Sequence, residues 1–205
     1  MKLILLTVLT SVISYLLGCI NAAYFYAMLL KRTDIRDHGS GNAGSTNILR
    51  VYGLKSALPV FLTDVAKGVA AIRLTMWITG GNPYAVALSA LFVVCGHNWP
   101  IFLNYRGGKG IAASLGIMLA LNYRIALVLF GIAILTMILS KMVSLGSILG
   151  LALSPFAFWA MHQPVSHVLI CAGLAAMGIF QHRGNIGRII RGEENKISLS
   201  KTKKD

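Results

Sequence analysis

Residues 111–139 read IAASLGIMLALNYRIALVLFGIAILTMIL, two apolar runs interrupted by Asn122-Tyr123-Arg124. As one helix the stretch is too long for an upright crossing and puts Arg124 near its middle. As two, each piece falls short of the roughly 20 residues of a standard span. The distribution of charge decides. If the chain turns at Asn122 it makes seven crossings, and its amino terminus lies outside. Fifteen of the nineteen Lys and Arg residues then fall on the inner side, leaving Lys2 and Arg124 outside and Lys67 and Arg73 within a span. A merged helix would send Lys141 and the basic tail outward, away from the two glycine-rich loops.

Outward from that hinge, further apolar runs cover Leu3–Leu30, about Ala57–Ile78, Tyr84–Leu103, about Val143–Ala160 and Val168–Phe180. The first, broken by Asn21, has no clear small-residue cleavage site and reads as a retained span ending at Lys31-Arg32. Pro100 predicts a kink or an early end in the third. Thr33–Ser56 reads as a polar loop whose small residues and hydroxyls rule out a packed apolar element. The expected fold is all-α, an integral membrane bundle of seven transmembrane helices, some short, with the amino terminus outside and the carboxyl terminus cytoplasmic. Residues 1–205 form one domain, and 198–205 read as a frayed basic tail.

Composition agrees with a lipid medium. Of 205 residues 56% are hydrophobic and 12% charged, whereas a soluble domain carries roughly 25% charged residues. The net charge of +13 sits between and after the apolar runs. Such placement orients a membrane protein and favours anionic headgroups or substrates. It supplies no separate basic face for nucleic acid. Cys19, Cys95 and Cys171 lie in or at the end of apolar runs without a CxxC pair and read as buried thiols.

Three polar stretches stand out: Ser40–Arg50, Gly96–Gly110 and His182–Lys196. Each is either a plain loop or part of a site. Together they offer Arg50, Lys109, Arg183, Arg188 and loop amides to an anion, but few carboxylates for a metal or a base. That balance suits one or two phosphates held by charge and position. Within the second span, Asp64 and Lys67 face the same side of a helix, and a charge pair there is a functional or assembly candidate. His97 fits either a satisfied helix end or a site, and Ser40 and Asn42 fit either substrate contact or turn chemistry. Walker, HExxH, Gly-x-Ser-x-Gly and His-x4-Asp patterns are all absent. An anion transporter remains the alternative, and it would spread polar groups along the depth of the bundle.

Taken together, Ser40-Gly41-Asn42-Ala43-Gly44-Ser45-Thr46-Asn47 with Arg50, Asp64-x-x-Lys67-Gly68, Gly96-His97 through Gly107-Gly108-Lys109-Gly110, and His182-Arg183-x-Asn185-Ile186 with Arg188 resemble the bacterial membrane-integral glycerol-3-phosphate acyltransferases that use acyl phosphate. The resemblance covers nearly the whole chain. It implies a seven-span inner-membrane enzyme facing the cytoplasm and moving an acyl group to the 1-hydroxyl of sn-glycerol 3-phosphate, with no cofactor or metal and without coenzyme A. Ser40, Arg50, Lys109, His182 and Asn185 are the expected catalytic residues, and Ser147 also matches a functional position. Gly41, Asn42, Gly44, Thr46, Asn47, Lys67, His97, Gly107, Gly108, Gly110, Ser147, Arg183 and Arg188 are the expected substrate- and phosphate-binding positions. Ser40, His182 and Asn185 would orient phosphates, and the leaving phosphate itself would accept the hydroxyl proton. The expected partners are the two substrates and membrane lipids, with a monomer as the working unit.

Overall fold

Asn122 turns the chain. In the computed structural model, which describes residues 1–197, its backbone amide ends one helix by donating to Met118 O at 2.8 Å. Its side chain then caps the next, accepting from the amides of Arg124 and Ile125. All regular elements are helical among the described residues.

The order is α1 (Lys2–Cys19), α2 (Ala22–Tyr26) continued by a π turn over Ala27–Lys31, α3 (Ser45–Tyr52), α4 (Leu54–Thr79), α5 (Pro83–Asn98), α6 (Ile111–Leu121), α7 (Tyr123–Ser140), α8 (Val143–Ala160), α9 (Val165–Gln181) and α10 (Arg183–Ile190). Four stretches are long and apolar enough to cross a membrane: Lys2–Lys31, Pro83–Leu103, Tyr123–Ser140 and Val143–Ala160. A fifth joins them if α9 and α10, bent by 63°, count as one broken span. α4 is long enough, but Asp64, Lys67 and Arg73 interrupt its apolar character.

α6 has eleven residues, none of them exposed, and packs against α4, α5, α7 and α9. At 1.5 Å per residue it is about 16 Å long, half the hydrocarbon thickness. Protein rather than lipid surrounds it.

Two close crossings hold the bundle. A Cβ on Gly18 would lie 2.2 Å from Val93 O, and one on Gly96 would lie 2.1 Å from Tyr15 O, so α1 and α5 meet backbone to backbone. Gly68 and Gly116 do the same for α4 and α6, with hypothetical contacts of 2.3 and 2.1 Å to Ala113 O and Val65 O. Small residues of this kind permit such approach where lipid provides no hydrophobic drive between helices.

The first run forms one membrane-length stretch, Lys2–Lys31, broken where Asn21 interrupts it: α1 stops at Cys19, and Asn21 caps α2 by accepting from Tyr24 N at 2.9 Å. One expectation needs correction. The expected loop at 33–56 holds α3 and the start of α4, and it does contain a packed apolar element. Ile35, Ala43 and Ile48 are completely buried there with Ala23 and Ala27. Pro100 does end α5 early, leaving a short 3-10 turn over Ile101–Leu103. The tail expected at 198–205 lies outside the described residues.

Candidate active site

Asn47 shapes the first wall. It is 1% exposed, its Oδ1 accepts from Ser40 N at 2.8 Å, and its Nδ2 donates to Ile35 O at 3.0 Å and His38 O at 2.8 Å. Those bonds curl residues 35–47 into a compact turn. Asn21 Nδ2 ties the turn to the break after α1 by donating to Ala43 O at 3.0 Å. Arg36, paired with Asp34 at 2.7 Å, ties it to the second loop by donating to Leu103 O at 2.8 Å. α3 follows and carries Arg50, whose guanidinium makes no hydrogen bond or ion pair among the described residues.

The second wall is the turn into α6. Gly107 N donates to Asn98 O at 3.1 Å and Gly108 N to His97 O at 3.0 Å, so neither amide is left for an anion. A Cβ on Gly108 would stand 2.1 Å from His97 Nε2. These glycines bring the loop onto the end of α5. Gly110, at φ +79°, then starts α6 and leaves Lys109 projecting from a fixed backbone.

The third wall comes from α9, α10, the segment after them and the start of α8. Lys109 Nζ donates to Asn185 Oδ1. Asn185 Nδ2 donates to Glu194 Oε1 at 2.7 Å, Ser144 Oγ donates to the same oxygen at 2.9 Å, and Arg188 Nε donates to Oε2 at 2.9 Å. Glu194 is 6% exposed, so a chain segment after the last helix anchors the cation that faces the cavity. The bonds from Asn185, Ser144 and Arg188 hold its carboxyl below the ordinary Glu range against the opposing effect of burial.

The walls enclose a cavity of about 420 Å³. Ser40, Gly41, Asn42, Gly44, Thr46, Asn47, Arg50, His97, Lys109, Gly110, Ser147, His182, Arg183, Asn185 and Arg188 all line it, as the sequence led us to expect. Lys67, Gly107 and Gly108 do not. Gly107 and Gly108 pack on His97. Lys67 lies beneath, held by Asp64 at 2.7 Å and by the carbonyls of Gly18 and Ile20 at 3.1 and 2.8 Å. Asn47 does line the cavity, yet its amide is spent on the turn. Asp64, expected as a functional or assembly candidate, also lines it, as does Ser45 of the Ser40–Asn47 stretch; Ser144 and Gln181 line it and were not anticipated. Glu194 was missed as well, and its only signal was to be a carboxylate among basic tail residues.

Burial and the neighbouring cations Arg188 and Arg50 outweigh the attraction of Glu194 and lower the Lys109 pKa to about 8. The group therefore remains mostly cationic at neutral pH. His182, 3% exposed, is lowered to about 4 by burial and by Lys109, and is neutral. Its Nδ1 lies 2.7 Å from Gly178 O, which can only accept, so Nδ1 carries the hydrogen and Nε2 keeps a lone pair.

Beside this cavity lies an apolar groove of about 300 Å³ between α4, α6, α7 and α8. Ser45, Thr46, Ile111, Ala112, Val143 and Ser147 line both spaces. A cationic space and an apolar space therefore lie side by side.

A helical membrane bundle with a cationic pocket opening onto an apolar groove is the arrangement of an integral-membrane acyltransferase, and the comparisons with known proteins bear that class out. A family model for glycerol-3-phosphate acyltransferase matches residues 8–192, and the chain belongs to that family. Glycerol-3-phosphate acyltransferase of Thermoanaerobacter sp. (strain X514) is 47% identical over 193 residues, which cover 93% of this chain and 95% of the relative. That of Shouchella clausii (strain KSM-K16) is 44% identical, covering 92% and 94%. The crystal structure of PlsY (YgiH), an integral membrane glycerol 3-phosphate acyltransferase, in its glycerol 3-phosphate form superposes with a TM-score of 0.87 at 30% identity. The match covers 94% of this chain and 96% of that one. The lysophosphatidic acid form gives a TM-score of 0.85 at 29% identity, covering 94% and 95%.

Proposed function

We propose that this chain transfers a fatty acyl group from acyl phosphate to the 1-hydroxyl of sn-glycerol 3-phosphate, releasing 1-acyl-sn-glycerol 3-phosphate and inorganic phosphate. The observation that carries this reading is the shared boundary of the cationic cavity and the apolar groove. Relatives that are glycerol-3-phosphate acyltransferases support the acceptor.

Arg50 and Lys109 neutralise the two phosphates and the charge that develops between them. Ser40, Asn42 and Ser147 supply hydroxyl and amide groups around the same space. Asn185, already engaged by Lys109 and Glu194, sets the lysine rather than reaching for phosphate on its own. His182 presents a lone pair at Nε2 and so suits a substrate hydroxyl better than a phosphate dianion. With a pKa of about 4 it is also a weaker base than a phosphate whose second pKa is about 6. The acceptor oxygen bonds to the acyl carbon, the bond from that carbon to the phosphate oxygen breaks, and the hydroxyl proton passes to the leaving phosphate. No protein carboxylate is needed as base.

Helices at all seven apolar stretches, with the three polar loops gathered at one end, support seven crossings and a site on the cytoplasmic face of a bacterial inner membrane.

The test supplies purified protein in detergent or lipid with labelled glycerol 3-phosphate and either acyl phosphate or acyl-coenzyme A. Product from acyl phosphate alone is the expected result. Product from acyl-coenzyme A alone overturns the donor. Product from neither, in a folded preparation, overturns the activity and returns anion transport to contention.

A further inference from the structure

The apolar groove has a definite depth. Counting from the polar rim, its lining runs from Leu54 to Phe61 on α4, from Ile111 to Met118 on α6, and from Met137 back to Leu129 on α7. Each stretch spans seven or eight helical steps, or about 10–12 Å. The hydrocarbon half of a leaflet is about 15 Å deep. An acyl chain matched to that leaflet therefore overruns the groove and must meet whatever ends it.

Five side chains stand at that end. Met118, Leu129 and Leu151 are 4%, 3% and 2% exposed and belong to the packed core behind the groove. The other two, Phe61 and Phe130, are only partly buried. They stack across the groove from α4 and α7, with centroids 5.9 Å apart and planes 19° from parallel. Core side chains moved aside leave voids, whereas partly exposed rings can turn toward lipid. The stack is thus the part of the end wall that can yield.

We infer that the Phe61 and Phe130 rings form an adjustable end wall that sets the enzyme's acyl-chain length preference. This rests on the reading of the groove as the acyl site given above. Chains ending at the rings are held entirely by protein, and longer chains must part the stack to reach the bilayer.

The experiment measures kcat/KM for decanoyl, myristoyl, palmitoyl and stearoyl phosphate with wild type, Phe61→Ala, Phe130→Ala and the milder Phe130→Leu. Leu62→Ala, on the exposed side of α4, serves as control. Loss of either ring should raise the stearoyl-to-decanoyl ratio by about tenfold, with Phe130→Leu intermediate and Leu62→Ala unchanged. Folding is checked by thermal unfolding in detergent. A ratio equal to wild type in the folded ring variants overturns the inference. Thermal stabilisation by lysophosphatidic acids of the same four chain lengths reads the groove without a donor. If acyl phosphate fails as donor while stabilisation still shifts toward long chains in the ring variants, the proposed reaction falls and the end wall stands. Unshifted stabilisation removes the end wall.

Discussion

Lys67 and His97, thirty residues apart in sequence, meet with Nζ 2.7 Å from Nδ1. An ammonium has only hydrogens to offer, so Nδ1 accepts, and Nε2 is directed at the glycine turn that carries Lys109. The same Nζ satisfies the carbonyls left open where α1 breaks and pairs with Asp64. One buried cation thus joins the α1 break, α4 and α5, and through His97 it steadies the second loop.

Lys67→Met should therefore destabilise the protein by about 3–5 kcal/mol, because it strands the Asp64 carboxylate as well as two carbonyls. Lys67→Arg should not restore stability, since a planar fork cannot replace a compact ammonium among these acceptors. Unfolding in detergent measures both. A Lys67→Met protein as stable as wild type refutes the girder role.

Lys109→Ala should lower kcat by about 10²–10³-fold at saturating substrates, the scale seen when one aligned charge-stabilising donor is removed. Single-turnover acyl transfer on folded protein measures it, and a near-normal maximal rate excludes Lys109 from catalysis.

The pH dependence of kcat/KM should be bell-shaped. On the acid side, activity rises as phosphate loses its second proton, at about pH 6 to 7. On the alkaline side it falls through about 8, because Lys109 is charged below its pKa and neutral above it. His182, neutral throughout this window, contributes neither limb. A flat profile from about pH 5 to 8 in the chemical step counts against phosphate as base.

Glu194→Gln should cost about 1.5–3 kcal/mol through loss of the charged acceptor shared by Ser144, Asn185 and Arg188. The folded carboxyl lies below its unfolded value, so its stabilisation is present above the unfolded pKa of about 4.3 and fades as pH falls through the folded value. Melting temperature against pH should show this acid loss in wild type and not in the variant. Parallel curves for the two proteins contradict the assignment.

Much of this was legible in the chain. Asn122 is a strong helix cap set between apolar runs, and local chemistry of that kind is visible without tertiary context. The cations Arg50 and Lys109 were legible too, because few other groups in the loops could meet an anion. Gly107 and Gly108 misled, since a glycine freeing its amide for an anion and one making room for His97 look identical in sequence. Asn21 was legible as a break in the first apolar run, whereas its support by Lys67, forty-six residues away, was not. Ile48 and Ile35 were too sparse to signal a core, and only Ala23 and Ala27 from the preceding helix complete it.

The short central helix α6 has a mechanical consequence. Bilayers differ in thickness, and helices in contact with lipid respond by tilting or by deforming the lipid around them. α6 has no such contact, so the strain falls on the outer ring, chiefly α1, α7 and α8, whose apolar side chains are widely exposed. Lys109, seated at the head of α6, is carried on a strut isolated from that load. Its spacing from Arg50 and Asn185 should therefore stay constant across membranes of different composition.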